Sequence, residues 1–371
     1  MRRRDFLVTT SAAVAGGVPS GFAGSLATQG RVSQGRALVV DGLLADVIAL
    51  DEPYLRALQA ARVDCVHVSM ESLVAVGDLY TFLDAHREAI GLVRTVREIR
   101  EAAARGRIGV VLGVQHANLL EALLSKGSSA DYGPLTALRA YHELGLRIQG
   151  IAYNVTNIFG GGCVDPQVGL TRAGRRLVTE VHKLGMILDV GGHTGERTSL
   201  DAIEMSAGVP VICSHTNVAA LNPNLRATSD RVIEAIARSG GVVGLTAVSD
   251  FHVRNVRSAA SHGQVSPQAD LAVHLDQYDY LKRLVGPDHV GLGPDFVGAW
   301  GEIFLQRGAN ALAFPTEALS EGKVRYVKGF ESIVELPNVG RGLRDRGWTK
   351  GEIDKVLGEN WLRVYQRVWR A

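Results

Sequence analysis

Met186-Ile187-Leu188-Asp189-Val190-Gly191-Gly192-His193 and Pro210-Val211-Ile212-Cys213-Ser214-His215-Thr216-Asn217 are the two stretches on which the reading of the fold turns. Each is a short apolar run rich in β-branched residues that gives way to small polar residues and a histidine, and the stretch between them, Thr198 to Met205, is amphipathic. Apolar runs without polar alternation suit strands covered on both faces, and a helix between two of them makes a parallel crossover. The same unit recurs in both directions. Runs at Ala37–Leu43, Cys65–Met70, Ile108–Val114, Leu146–Ala152, Gly241–Thr246 and His289–Gly293 join Met186–Val190 and Val209–Cys213 to make eight. Amphipathic stretches at 52–62, 93–105, 132–143, 174–184, 230–239 and 274–285 lie between or beside them. Eight strands alternating with helices predict an α/β fold, a (β/α)8 TIM-type barrel. An open dinucleotide-binding sheet needs Gly-x-Gly-x-x-Gly after its first strand, and the chain reads Asp41-Gly42-Leu43-Leu44-Ala45-Asp46 there.

The 371 residues suit one barrel domain, expected over residues 36–371. Forty basic and 38 acidic residues are intermixed for a net charge of +2, so no field favours nucleic acid or a membrane surface and the expected partner is a small-molecule substrate. At the N-terminus, Arg2-Arg3-Arg4-Asp5-Phe6-Leu7 precedes an uncharged Ala/Gly/Val-rich run, which resembles a twin-arginine export signal over residues 1–30 and predicts a periplasmic protein. Thr9, Thr10, Ser11, Gly16, Gly17, Pro19 and Ser20 make that run too polar for a stable membrane span. Cys65, Cys163 and Cys213 are odd in number and form no Cys-x-x-Cys, which excludes a disulfide framework and a thiolate zinc site.

In a barrel the C-terminal strand ends form the active-site face. The residues there are polar: Asp41 and Asp46 near the end of the first run, Gln115 and His116 after the third, Tyr153 and Asn154 after the fourth, His193 after the fifth, His215 after the sixth and Asp295 after the eighth. Imidazole and carboxylate are ligands of a catalytic zinc, and two histidines on adjacent strands with an aspartate across the mouth point to one. The alternative is a polar network without metal.

Several blocks of the chain resemble the membrane (renal) dipeptidase family. They are Gly169-Leu170-Thr171 with Gly174-Arg175, the two quoted stretches with His182-Lys183-Leu184-Gly185 before the first, Gly286-Pro287-Asp288-His289-Val290-Gly291-Leu292-Gly293-Pro294-Asp295-Phe296, and Gly358-Glu359-Asn360-Trp361-Leu362-Arg363. The resemblance runs from about Val39 to the C-terminus and implies a zinc dipeptidase of the metal-dependent-hydrolase type, with two adjacent metals and a homodimeric assembly. It assigns His193 and His215 to one metal, Asp295 to proton handling at the scissile amide, Arg226 to the substrate carboxylate, and Tyr153 and Asn154 to substrate positioning.

The chain also departs from that pattern. Where the family carries Asp-Gly-His-x-Asp on its first strand, this chain has Asp41-Gly42-Leu43-Leu44-Ala45, and the bridging Glu falls at Gln115. A subset of bacterial relatives shares these changes together with Tyr153-Asn154, Asn157 and Gly160-Gly161-Gly162-Cys163. One zinc is therefore expected instead of two, held by His193 and His215 with Asp295, Asp46, Gln115 or water completing the shell. Gly191-Gly192 adds a residue before His193, leaving open whether its imidazole is displaced, and His193 is kept as a ligand. The function expected is metal-assisted cleavage of a dipeptide or related small amide or lactone. The contrasting expectation is a catalytically silent binding protein that keeps the carboxylate pocket.

Overall fold

The computed structural model describes residues 36–121, 133–253, 267–298 and 324–369. The N-terminal signal reading lies outside the described residues. Among the described residues there are nine strands: β1 (Val40–Leu44), β2 (Cys65–Ser69), β3 (Ile90–Leu92), β4 (Ile108–Val114), β5 (Leu146–Gly150), β6 (Ile187–Asp189), β7 (Cys213–Thr216), β8 (Val243–Leu245) and β9 (Val290–Leu292). All ladders between them are parallel, in the orders β1-β2-β4-β5-β6 and β7-β8-β9. Parallel bridges Asp189↔Ile212 and Leu44↔Phe296 join the two arcs at both seams. The eight predicted runs thus become an eight-stranded barrel. The extra strand β3 pairs with the first half of β4 (Ile90↔Ile108), while β5 takes the second half of that edge (Leu112↔Leu146).

Several helices start where a short polar side chain accepts the free backbone N–H of the first turn. Asp51 accepts from Tyr54, Thr95 from Glu98, Thr171 from Gly174 and Asp270 from Val273. The helix Asp230–Ser239 has the predicted bounds and ends on Gly240 in the left-handed conformation, a common helix stop. The helices Leu73–Ala85, Leu336–Asp345, Lys350–Asp354 and Asn360–Val368 add to the predicted set.

One end of the barrel is plugged. Val40, Cys65, Val111, Ile148, Ile187, Ile212 and Val242 form an inner layer with Trp361 and Tyr365 of the last helix. Trp361 is fully buried and its indole N–H donates to the Leu292 carbonyl at 3.0 Å. Its ring is admitted because three strands offer glycine: a Cβ on Gly42, Gly291 or Gly244 would lie 2.5, 2.8 or 3.0 Å from it. Asn360 beside it donates to the carbonyls of Pro287 and Val290 and anchors the helix to β9. With this end closed by apolar side chains, polar groups gather at the C-terminal strand ends. All three cysteines are buried and free.

Candidate active site

His215 stands in β7, and His193 in the turn that follows β6. Both are buried, and their rings lie 4.9 Å apart between centroids. Arg226, in the loop between β7 and the helix Asp230–Ser239, sends one guanidinium nitrogen, Nη2, between them. Nη2 lies 3.1 Å from His193 Nε2 and 2.9 Å from His215 Nε2. A guanidinium only donates, so both Nε2 atoms are lone-pair acceptors and both rings carry their proton on Nδ1.

The surroundings agree with that tautomer. His193 Nδ1 donates to the Asn154 side-chain oxygen at 2.7 Å, and Tyr153 stacks on the same ring at 3.8 Å. His215 Nδ1 donates to the Ser214 hydroxyl at 2.9 Å, and Ser214 is hydrogen-bonded through its hydroxyl and its backbone N–H to Asp189. Burial, reinforced by the Arg226 charge, holds both histidines well below the ordinary imidazole range, so they are neutral near pH 7.

Asp295 lies after β9, its carboxylate 3.9 Å from His215 Nε2. Burial pushes its carboxyl up to about 7, against the opposing charge of Arg226. Asp295 and Asn154 both have left-handed backbone conformations, φ 62° and 61°. Non-glycine residues adopt these where the surroundings enforce them, and Asp and Asn do so at least cost.

The glycine pair before His193 does not displace its imidazole from His215. Gly191 N–H donates to Asp189 at 2.9 Å, which closes the turn. At Gly192 a Cβ would lie 2.3 Å from Arg226 Nη1 and 2.5 Å from the Arg226 carbonyl, so the missing side chain is the space in which the arginine lies.

Several predicted site residues are placed differently. Asp46 caps a short 3-10 turn by accepting from Ile48 N–H at 2.9 Å. Gln115 donates its amide to the Ala45 carbonyl at 3.0 Å. Asp46 does not join the histidine pair: among the described residues no three His, Cys, Asp or Glu side chains form a group that could hold a metal ion. Asn154 orients His193, so its amide oxygen is engaged with an imidazole where substrate contact was expected. His116 pairs with Glu71 at 2.6 Å. Glu71 lies two residues past β2 and was missed by the sequence reading, although its strand-end position marked it. Asp189 and Ser214, also missed as functional residues, lie within the quoted stretches.

Asp41 is not at the mouth. It lies within β1 at a register shift, accepting from Leu43 N–H at 3.0 Å and from the Tyr54 hydroxyl at 3.3 Å. Burial pushes its carboxyl up to about 7. A carboxyl raised on folding contributes stability below its unfolded value, near 4, that is lost as pH rises through about 7. Asp41→Asn is therefore expected to gain on the wild type by about 1.4 kcal/mol per pH unit between pH 5 and 7, and to hold that gain above. Denaturant unfolding across this range measures it, and a difference independent of pH would show that Asp41 ionises normally.

A parallel barrel with paired imidazoles and a carboxylate at its C-terminal mouth is of the metal-dependent hydrolase class. The family model of the membrane dipeptidases, peptidase family M19, matches residues 57–304, and the chain belongs to that family, whose members are zinc-dependent metallopeptidases. It is a dipeptidase-like metallohydrolase. It is 31% identical over 252 residues to the "uncharacterized protein in pqqA 5'region" of Klebsiella pneumoniae, covering 66% of this chain and 80% of that one. It is 29% identical over 262 residues to dipeptidase aclJ of Aspergillus oryzae, covering 70% of this chain and 51% of that protein, about half its length. Among solved structures, an amidohydrolase from Pseudomonas aeruginosa superposes with a TM-score of 0.77 at 25% identity, over 90% of this chain and 97% of that one.

Two donors of the kind a zinc ion takes face one point. Two neutral imidazoles direct their Nε2 lone pairs at a single cationic atom, the Arg226 nitrogen, with the Asp295 carboxylate beside them. Leu43 and Ala45 stand where the family pattern has its strand-one ligands, and Gln115 donates its amide N–H to a backbone carbonyl while its side-chain oxygen is buried with no hydrogen-bond partner among the described residues.

Proposed function

We propose that the chain cleaves a dipeptide or a closely related small amide at the barrel mouth, with one zinc ion held by His193 and His215. The observation that carries this reading is the convergence of the two Nε2 atoms on one cationic point, each ring locked in the required tautomer by a second residue. When bound, the ion supplies Lewis-acid polarisation of the scissile carbonyl and of water. The rest falls to the chain. Asn154 and Ser214 orient the imidazoles, and Tyr153 covers one face of His193. Asp295, with its carboxyl poised near 7, takes a proton from the attacking water and returns it to the leaving amine nitrogen. Arg226 Nη1 is buried with no hydrogen-bond partner among the described residues, and it suits the terminal carboxylate of a dipeptide.

The test is zinc analysis of the purified chain with a panel of L,L- and L,D-dipeptides. Zinc-dependent turnover of at least one dipeptide, lost in His215→Ala, is the expected result. No turnover across the panel with zinc supplied would overturn the reading.

A further inference from the structure

Arg226 is 2% exposed, and among the described residues no carboxylate is paired with it directly. A buried cation needs its lost hydration replaced and its charge balanced. The replacement is visible: two imidazole lone pairs on Nη2, and the face of Phe251 at 5.3 Å from the guanidinium carbon. The balance lies further along one of those imidazoles. His215 accepts from Arg226 through Nε2, so its ring donates from Nδ1 to the Ser214 hydroxyl at 2.9 Å. With that oxygen accepting, the hydroxyl proton goes onward, and the acceptor it meets is the Asp189 carboxylate. Asp189 is buried. Its Oδ1 also accepts from the backbone N–H of Gly191 at 2.9 Å and of Ser214 at 3.0 Å, so one oxygen ties together the two segments that carry the histidines.

Every donor in this series points the same way, from guanidinium to imidazole to hydroxyl to carboxylate. We propose that Asp189 is the buried counter-ion of Arg226, joined to it by a directional relay through His215 and Ser214, and the positioning residue that fixes the His215 tautomer. The hydroxyl cannot make that choice, since it donates or accepts equally well, whereas a carboxylate only accepts and so sets the direction. Aligned hydrogen bonds in a dry interior strengthen one another, and opposite charges at the two ends reinforce the alignment. The relay stands whether or not the histidine pair takes a metal.

The experiment joins nitrogen NMR of the isotope-labelled full chain, with chelator present, to a double-mutant cycle. Asp189→Asn keeps an oxygen for the two backbone N–H groups and sets an N–H donor opposite the Ser214 hydroxyl. The series then runs backwards: the hydroxyl donates to Nδ1, and the ring proton moves to Nε2, facing the Arg226 donor. The His215 proton is expected on Nδ1 in the wild type and on Nε2 in Asp189→Asn. In denaturant unfolding, Asp189→Asn combined with Arg226→Met should lower the folding constant about tenfold less than the product of their separate effects. Adding Ser214→Ala should remove that coupling. Should Asp189→Asn fail to fold, Ser214→Ala takes its place in the cycle with Arg226→Met, where the same coupling is expected. An Nε2 proton in the wild type, or an unchanged tautomer in Asp189→Asn, would overturn the relay. Purely multiplicative effects on the folding constant would remove Asp189 as the counter-ion. Coupling that survives Ser214→Ala would be a field acting through space, and would overturn the path through the hydroxyl.

Discussion

Asp295→Asn is expected to lose about 10²–10⁴ in turnover of whichever dipeptide the chain cleaves, the range a positioned proton-transfer group contributes. The fold should survive the change. Asparagine tolerates the left-handed backbone that Asp295 adopts, and the strand-end contact is made by the backbone N–H of residue 295, which donates to the Leu43 carbonyl at 3.1 Å. What the variant removes is a carboxyl 3.9 Å from His215 Nε2 that burial holds near 7. The sign of the stability change separates proton handling from scaffolding. A carboxyl whose folded value is raised costs stability as pH rises through about 7, so at pH 8 the variant should be as stable as the wild type or more so. A turnover loss with an unchanged or higher melting temperature is the expected pair of readings. Turnover within about threefold of the wild type would remove Asp295 from the reaction.

Trp361→Ala is expected to destabilise the chain by about 3–5 kcal/mol, the cost of emptying a large buried aromatic site. The barrel cannot collapse into the space. Gly42, Gly244 and Gly291 lie on three strands whose spacing is set by backbone ladders, and none has a side chain to move inward. The indole also leaves the Leu292 carbonyl without its donor. At about 2–4 °C per kcal/mol for chains of this size class, the melting temperature should fall by about 10 °C. A loss under about 1 kcal/mol would show that Trp361 is not the plug. Because Trp361 closes the end opposite the histidines, zinc stoichiometry should be retained wherever the variant is folded.

Much of the barrel was legible because its cause is local. The run Ile108–Val114 carries no polar side chain at any position, a pattern that suits a strand covered on both faces, and polar side chains mark several helix starts within a few residues. β3 was not legible, since three residues, one of them Gly91, form no run that stands out. The final helix, known from sequence only as a family block around Asn360-Trp361, owes its importance to glycines some 70 to 320 residues away. Such pairing leaves no local trace.

The site divides in the same way. His193, His215 and Asp295 follow from counting strands and inspecting what comes after them, because barrel topology brings those ends to one mouth. Asp46 was equally polar and equally placed, yet a backbone N–H engages it first, and Gln115 is turned by donating its amide to a backbone carbonyl. Buried main-chain groups must be satisfied, and which side chain does so depends on loop paths.

By itself, the sequence determined the order of strands and helices, the parallel barrel and the two histidines that face its mouth, all consequences of short-range periodicity. Only the tertiary structure decided what lies between those histidines. Arg226 reaches them from a loop beyond β7, through the space left by the absent side chain of Gly192, and holds both Nε2 lone pairs. The reach of a long side chain is set by the packing around it, and packing is a property of residues distant in sequence.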